Sequence, residues 1–204
     1  MINLISRGGP VMAILITLSV VVLGFITERL IYWWGLKRCI KSVVLEDALS
    51  LLFTQGIDSF RNAYQSSLDP LIQVFLNSIN VPNIVLKERL SKGVEQITDE
   101  STQFLPIIST IVTLAPLLGI LGTVTGIMSS FKILGMETIA DPHQVTLGIA
   151  QALITTAAGL AIAMFGLIFY NYFLHCSQKL ESRNQAHANE FAAILLSLRN
   201  NSNS

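Results

Sequence analysis

Charged residues are scarce in this sequence and are missing altogether from three long stretches. Asp, Glu, Lys and Arg make up 13% of the 204 residues, about half of the share usual in soluble proteins. None of them occurs at residues 8–27, 101–131 or 142–178. A helix that crosses a bilayer needs about 20 mostly apolar residues, so each stretch is long enough. We therefore predict an all-α integral membrane protein with three transmembrane helices embedded in a lipid bilayer.

Residues that carry chemistry are equally few. The chain has two cysteines, Cys39 and Cys176, which lie too far apart for a metal-binding motif, and three histidines. No phosphate-binding glycine loop occurs, and no histidine has a carboxylate or cysteine at ligand spacing. A net charge of zero gives no indication of nucleic-acid binding. We therefore expect no enzyme activity, no catalytic residues, no metal and no cofactor.

The basic residues indicate how the chain is oriented in the membrane. Eleven of the 13 Lys and Arg lie between the first two apolar stretches or after the third, which places those segments in the cytoplasm and the N-terminus outside. A cleaved signal peptide is the alternative for the first stretch, although no A-x-A-like cleavage site follows it. The predicted segments are a first transmembrane helix at 8–34, a cytoplasmic helical segment at 35–103, a second transmembrane helix at 104–134, an outer turn at 135–143, a third transmembrane helix at 144–174 and a cytoplasmic tail at 175–204.

Helical periodicity continues outside the three spans. We predict cytoplasmic helices at about 38–62 and 67–79, followed by a break at "NVPN" (80–83) where Asn83 would cap the next helix. That next helix is expected to run without interruption from about 83 to 134, so that helices 2 and 3 extend into the cytoplasm. The polar end "NNSNS" is expected to be disordered.

Small residues form a line along both later spans. Gly119, Gly122 and Gly126 follow i, i+3, i+7 and share one helix face. In the third span the line consists of Gly148, Ala152, Thr155, Gly159, Ala163 and Gly166. Small residues let helices approach closely in lipid, which makes helix packing one interpretation. The other is a hydrated path or a polar partner, favoured by Thr123, Gln151 and Thr156.

No ionisable residue lies near the middle of any span, and this limits the mechanisms open to the chain. Glu28 and Arg29 stand at the cytoplasmic end of the first span. Proton relays carry acidic or histidine side chains inside the membrane. A proton path therefore requires a second subunit that supplies a carboxylate.

The motifs "APLLGILGTVTGIMSSF" (115–131), "GIAQALITTAAGLAIA" (148–163) and "YNYF" (170–173) resemble the MotA/TolQ/ExbB family, most closely its compact ExbB-like members. The resemblance implies a homo-oligomer, a pentamer, around an ExbD/TolR-like single-span partner whose membrane aspartate faces Thr123 and Thr156. Thr155 and Gln151 then lie beside the same ion path. Neighbouring subunits are expected to meet along the glycine face of the second span.

The implied function is an ExbB-like motor subunit in the bacterial inner membrane, which couples H⁺ or Na⁺ flow to a TonB-like protein and outer-membrane transport. Two residues depart from the family pattern: Gln151 stands where many members have Glu, and Phe165 where a proline is usual. The missing proline predicts a straighter third helix. The alternatives are a TolQ-like or gliding-motor subunit, a non-conducting scaffold, and a channel that needs no partner.

Overall fold

The computed structural model describes the backbone of residues 2–39, 42–136 and 142–202, and the side chains of 10–36, 44–132 and 146–200. All elements in these ranges are α-helices. They are α1 (Ile2–Cys39), α2 (Ser42–Tyr64), α3 (Pro70–Ser78), α4 (Asn83–Thr102), α5 (Leu105–Met136) and α6 (Pro142–Ser202). The prediction of an all-α protein is confirmed. The predicted outer turn falls largely on residues 137–141, which lie outside the described residues.

Three stretches are long and apolar enough to cross a membrane, as predicted: Pro10–Leu36, Asn83–Lys132 and Thr146–Asn200. The chain divides into two compact units. The first unit comprises Met1–Arg29 and Phe104–Tyr172, and the second unit comprises Leu30–Gln103 and Phe173–Ser204. These divisions fall close to the predicted membrane boundaries at residues 34, 103 and 174.

The first unit carries many of its large apolar side chains outward and buries several of its small residues. Phe131, Phe165 and Ile168 are each at least 60% exposed, whereas Ala115 and Ala152 are buried. An exposed face of this kind is stable next to lipid or a partner helix and costly in water. The pattern is that of a helix assembly whose surroundings are apolar.

The second unit has an aromatic core. Phe75 of α3 stacks on Phe191 of α6 with ring centroids 4.3 Å apart, and Phe60 of α2 lies 6.0 Å from the same ring. Leu86 and Leu90, four residues apart on α4, are also buried. The apolar spacing that predicted helices in this segment therefore forms a packed core of its own.

Two details of the second unit differ from the prediction. Pro82, not Asn83, is the residue that precedes α4, and no side chain caps this helix. The Asn83 amide oxygen instead accepts a hydrogen bond from Arg199, whose guanidinium also donates to the carbonyl of Val81 at 2.8 Å. Arg199 thereby fastens the last turns of α6 to the chain before α4. The expected disorder of the polar end is wrong up to Ser202, where α6 ends.

The single helix predicted from 83 to 134 is interrupted. α4 ends at Thr102 and α5 begins at Leu105, although Gln103 keeps helical angles (φ −44°, ψ −42°). Pro106 explains the interruption, since it has no N–H to donate to the carbonyl of Thr102. A proline is well tolerated in the first turn of a helix, where it stands in α5. By contrast, α6 is one continuous helix of 61 residues, Pro142–Ser202.

Asp69 sets the start of α3 and is almost fully buried. Its carboxylate accepts a hydrogen bond from the backbone N–H of Leu71 at 2.9 Å, and Pro70 occupies the first helical position. Burial raises the pKa of Asp69, although the helix N–H groups and the charges of Arg183 and His187 act in the opposite direction. Because the folded pKa lies above the unfolded one, the free energy of unfolding falls as pH rises through the interval between them.

We expect Asp69→Ala to lower the free energy of unfolding by about 1–2 kcal/mol, because α3 loses its cap. Asp69→Asn keeps a capping oxygen and removes the buried charge, so it should cost less and should flatten the pH dependence. Thermal unfolding of the full chain in detergent, from mildly acidic to neutral pH, measures both. Equal losses in the two variants would show that the cap does not stabilise the fold.

Candidate functional site

The small-residue lines of α5 and α6 lie against each other within the chain. A Cβ atom placed on Gly159 would lie 2.5 Å from the carbonyl oxygen of Ala115, and one on Gly119 would lie 3.0 Å from the Cα of Thr156. A Cβ atom on Gly126 would lie 2.9 Å from that of Ala152. These distances are too short for any larger residue without a backbone shift. The face that was expected to contact neighbouring subunits is thus filled by α6 of the same chain.

Hydroxyl side chains occupy the remaining space beside two glycines. The methyl group of Thr155 lies 2.4 Å from a Cβ atom built on Gly122, and the Ser130 hydroxyl oxygen lies 2.0 Å from one built on Gly148. Thr155 and Ser130 are both buried. The helices therefore place polar side chains inside their contact, where close backbone approach leaves room for little else.

The three threonines singled out in the sequence make different hydrogen bonds. Thr156 donates across the helix pair to the carbonyl of Gly119 at 2.8 Å. Thr155 donates to the carbonyl of Gln151 in its own helix at 3.0 Å. Thr123 donates to the carbonyl of Ile120 at 2.6 Å, also within its own helix, and is half-buried. Thr156 thus joins α5 to α6, whereas the Thr123 hydroxyl makes no hydrogen bond to α6.

Gln151 lies one turn before Thr155 and its side chain is half-buried. Ala152, the next residue, is buried in the contact with Gly126. Gln151 is therefore placed at the margin of the helix contact, with part of its surface open to whatever surrounds the first unit. Gly148, Gln151 and Thr155 share one face of α6.

Glu28 and Arg29 form an ion pair in α1, at the last residues of the first unit. The Arg29 Nε donates to a Glu28 carboxylate oxygen at 2.5 Å, and Arg29 is only 2% exposed while Glu28 is 43% exposed. The Arg29 guanidinium also lies 5.0 Å from the centre of the Phe104 ring, which stacks on Phe25. Sequence analysis selected Glu28 and Arg29 but not Phe104, because a ring 75 residues away leaves no local signal.

Within the described residues, no group of three His, Cys, Asp or Glu side chains could hold a metal ion. Among the described side chains, the polar groups that the uncharged stretches contribute to the first unit are hydroxyl and amide groups. Such groups can solvate an ion or accept a hydrogen bond, but they do not exchange protons near neutral pH. These polar groups can therefore bind an ion or a hydrogen-bonding partner without taking up a proton themselves.

Comparison with known proteins identifies the family of this chain. The family model described as "MotA/TolQ/ExbB proton channel family" matches residues 60–186, more than half of the chain. The chain belongs to the MotA/TolQ/ExbB proton channel family. The matched range contains all of α5, the glycine contact and most of α6.

Relatives named ExbB and relatives named TolQ are both similar to this member of the MotA/TolQ/ExbB family. The biopolymer transport protein ExbB-like 3 of Synechocystis sp. is 30% identical over 171 residues, which is 81% of each chain. The Tol-Pal system protein TolQ of Pseudomonas aeruginosa is 44% identical over 45% of this chain and 39% of its own length. The biopolymer transport protein ExbB of Aquifex aeolicus is 40% identical over 48% of this chain and 62% of its own length.

The family assignment bears on two of the earlier conclusions. A proton channel family of multi-pass membrane proteins agrees with three apolar helices and with a chain that is a motor or channel subunit rather than an enzyme. The two higher identities are confined to less than half of the chain. The family match itself covers residues 60–186, and relatives with either name are similar to the chain.

Proposed function

We propose that this chain is an ExbB-like subunit of an ion-driven motor in the bacterial inner membrane. In this proposal it forms a homo-oligomer, a pentamer, around an ExbD/TolR-like single-span partner and energises TonB-dependent outer-membrane transport. The observation that carries the proposal is a proton-channel family member whose predicted spans contain hydroxyl groups but no titrating group near the middle of any span. The partner would supply the membrane aspartate.

The hydrogen bonds of Thr123 suit it to meet such an aspartate. Its hydroxyl donates to the carbonyl of Ile120, so its oxygen lone pairs stay available to accept a hydrogen bond. A protonated carboxylic acid is a donor and can bind there. After deprotonation the hydroxyl can rotate and donate to the carboxylate instead, at the cost of its bond to Ile120. One side chain can therefore serve both protonation states of the partner's acid.

The exposed face of α5 leaves room for the partner and for neighbouring subunits. Leu117, Val124 and Met128 are 56%, 49% and 66% exposed. Since the glycine face of α5 is occupied by α6, we propose that contacts between subunits use these larger side chains. Gln151, which is half-buried, would then border the ion path from the side of α6, whereas Thr155 stays inside the contact between α5 and α6.

Ion flux across liposomes tests the proposal directly. We expect the chain alone to give no proton or sodium flux above that of protein-free vesicles, because it offers no titrating group near the middle of the membrane. Co-reconstitution with an ExbD/TolR-like partner should produce flux that is lost when the partner's membrane aspartate is replaced by asparagine. Strong flux from the chain alone would overturn the proposal and favour a channel that needs no partner. A complex that assembles with no flux would favour the scaffold.

A TolQ-like role is the second candidate, supported by the 44% identity to the TolQ protein of Pseudomonas aeruginosa. Both roles use the same motor chemistry and differ in the envelope protein that is driven. Complementation separates them: expression in a strain that lacks its TonB-system motor subunit restores transport in one case, and expression in a strain that lacks TolQ restores envelope integrity in the other. If the chain restores function only in the strain that lacks TolQ, the TolQ-like role would replace the TonB-dependent one.

A further inference from the structure

The second unit contains a groove whose lining is partly basic and partly apolar. Its volume is about 470 Å³. The residues that line it are Trp33 and Leu36 of α1 and His175, Cys176, Lys179, Leu180 and Arg183 of α6. His175, Lys179 and Arg183 follow one another at intervals of four, so they form a ridge along one face of α6. Neither this groove nor its residues enters the ion path described above.

Buried donors in this groove lack acceptors. Five buried side-chain polar atoms among the described residues have no hydrogen-bond partner, and all five belong to the second unit. Two of them line the groove, the indole N–H of Trp33 and the Nε–H of Arg183. Trp33 is 9% exposed. A buried donor without an acceptor destabilises the fold, so we infer that an acceptor from outside the chain pairs with both groups.

The chemistry of the missing acceptor follows from the groups that face it. Trp33 and Arg183 can only donate hydrogen bonds, and Lys179 adds a positive charge. Asp69 interacts electrostatically with Arg183, but it does not line the groove. An anion with several oxygen acceptors, such as a phosphate ester, satisfies these donors. Leu36 and Leu180 require that the same ligand also carry an apolar portion.

The position of the groove along the chain favours a lipid over a soluble anion. Trp33 and Leu36 stand at the end of the first candidate span, Pro10–Leu36. His175 directly follows the predicted third transmembrane helix, 144–174. Tryptophan is enriched at the membrane–water interface, and basic pockets at the cytoplasmic ends of transmembrane helices bind anionic headgroups. We propose that this groove binds the phosphate headgroup of an anionic phospholipid of the cytoplasmic leaflet. The assignment to that leaflet rests on the proposed orientation of the chain.

Tryptophan fluorescence can follow such binding, because the chain has only two tryptophans, Trp33 and Trp34. Trp34 is 66% exposed and can be removed as Trp34→Phe. In phosphatidylcholine bilayers, brominated phosphatidylglycerol should quench Trp33 more strongly than brominated phosphatidylcholine at the same mole fraction. One basic residue near an anionic surface changes the affinity about fivefold, so Lys179→Gln should lower the preference for phosphatidylglycerol by about that factor.

Matched variants decide whether the groove is responsible. Lys92→Gln removes one exposed positive charge on α4, outside the groove, and should leave the preference unchanged. Lys179→Arg should restore it. Equal quenching by the two lipids, or an effect of Lys92→Gln as large as that of Lys179→Gln, would overturn the proposal. Complete displacement by soluble glycerol phosphate would also overturn it, since the site would then bind a free anion. None of these readings depends on ion flux, so a failed motor assignment is distinguished from a failed lipid site.

Discussion

Replacing Thr123 by valine is expected to lower ion-driven activity about ten- to a hundredfold in a complex that still assembles. A hydrogen bond to a charged group contributes about 1.5–3 kcal/mol, which corresponds to that range. Valine keeps the shape of the side chain and removes the hydroxyl that would bind the partner's aspartate. Flux through the reconstituted complex and growth under TonB-dependent conditions measure the loss, and size-exclusion chromatography measures assembly.

Two controls make this result specific to the site. Thr113 also lies on α5, is exposed, and donates to the carbonyl of Ser109 at 3.0 Å, so Thr113→Val removes a similar hydroxyl elsewhere. Thr113→Val should leave the ion-driven activity near that of the wild type. Thr123→Ser should retain most of the activity that Thr123→Val loses. Thr156→Val is less informative, because it also breaks the bond to Gly119 that joins the two helices. Full activity of Thr123→Val would remove Thr123 from the ion path.

Adding a single methyl group at Gly159 is expected to destabilise the first unit by about 1–3 kcal/mol, because overpacking forces the backbone to move. The methyl of Gly159→Ala would meet the Ala115 carbonyl oxygen at 2.5 Å, and a backbone atom cannot rotate away. Thermal unfolding in detergent and the yield of assembled complex measure the effect.

The sequence offers a graded control for this variant. Gly24, in α1 of the same unit, has no atom within 4 Å of an added Cβ, so Gly24→Ala should be neutral or slightly stabilising through better helix propensity. A Cβ atom on Gly166 would lie 2.6 Å from a methyl group of Val112, which is a side-chain atom that can move. The loss of stability in Gly166→Ala should therefore fall between those of the other two variants. Equal stability of all three variants would mean that the α5–α6 contact does not limit the fold.

The three spans were predictable because the absence of charge over about 20 residues is a strong and local signal. The lines of small residues were equally visible, since a helix repeats every 3.6 residues and places Gly119, Gly122 and Gly126 on one face. The pattern did not show which helix packs against this glycine face. Whether α6 of the same chain or a neighbouring subunit fills that face depends on tertiary packing.

The errors have similar physical origins. The break after Thr102 depends on one missing N–H at Pro106, which apolar periodicity does not register. Asn83 resembled a helix cap, but its amide oxygen pairs with Arg199, 116 residues later in the chain. The basic groove was missed because Trp33 of α1 and Arg183 of α6 are 150 residues apart in the sequence. That their N–H groups lack acceptors becomes visible only in the structure.

The hydroxyl groups of the first unit have a consequence for how the protein is made. Thr17, Thr113, Thr125 and Ser130 each donate to a carbonyl four residues earlier in the same helix. Their polarity is therefore neutralised as soon as each helix forms, and insertion into the bilayer leaves none of these four groups waiting for another polypeptide. Each newly synthesised copy can diffuse in the membrane as a finished part. In the proposed complex, these four hydroxyl groups would therefore not be what holds the subunits together.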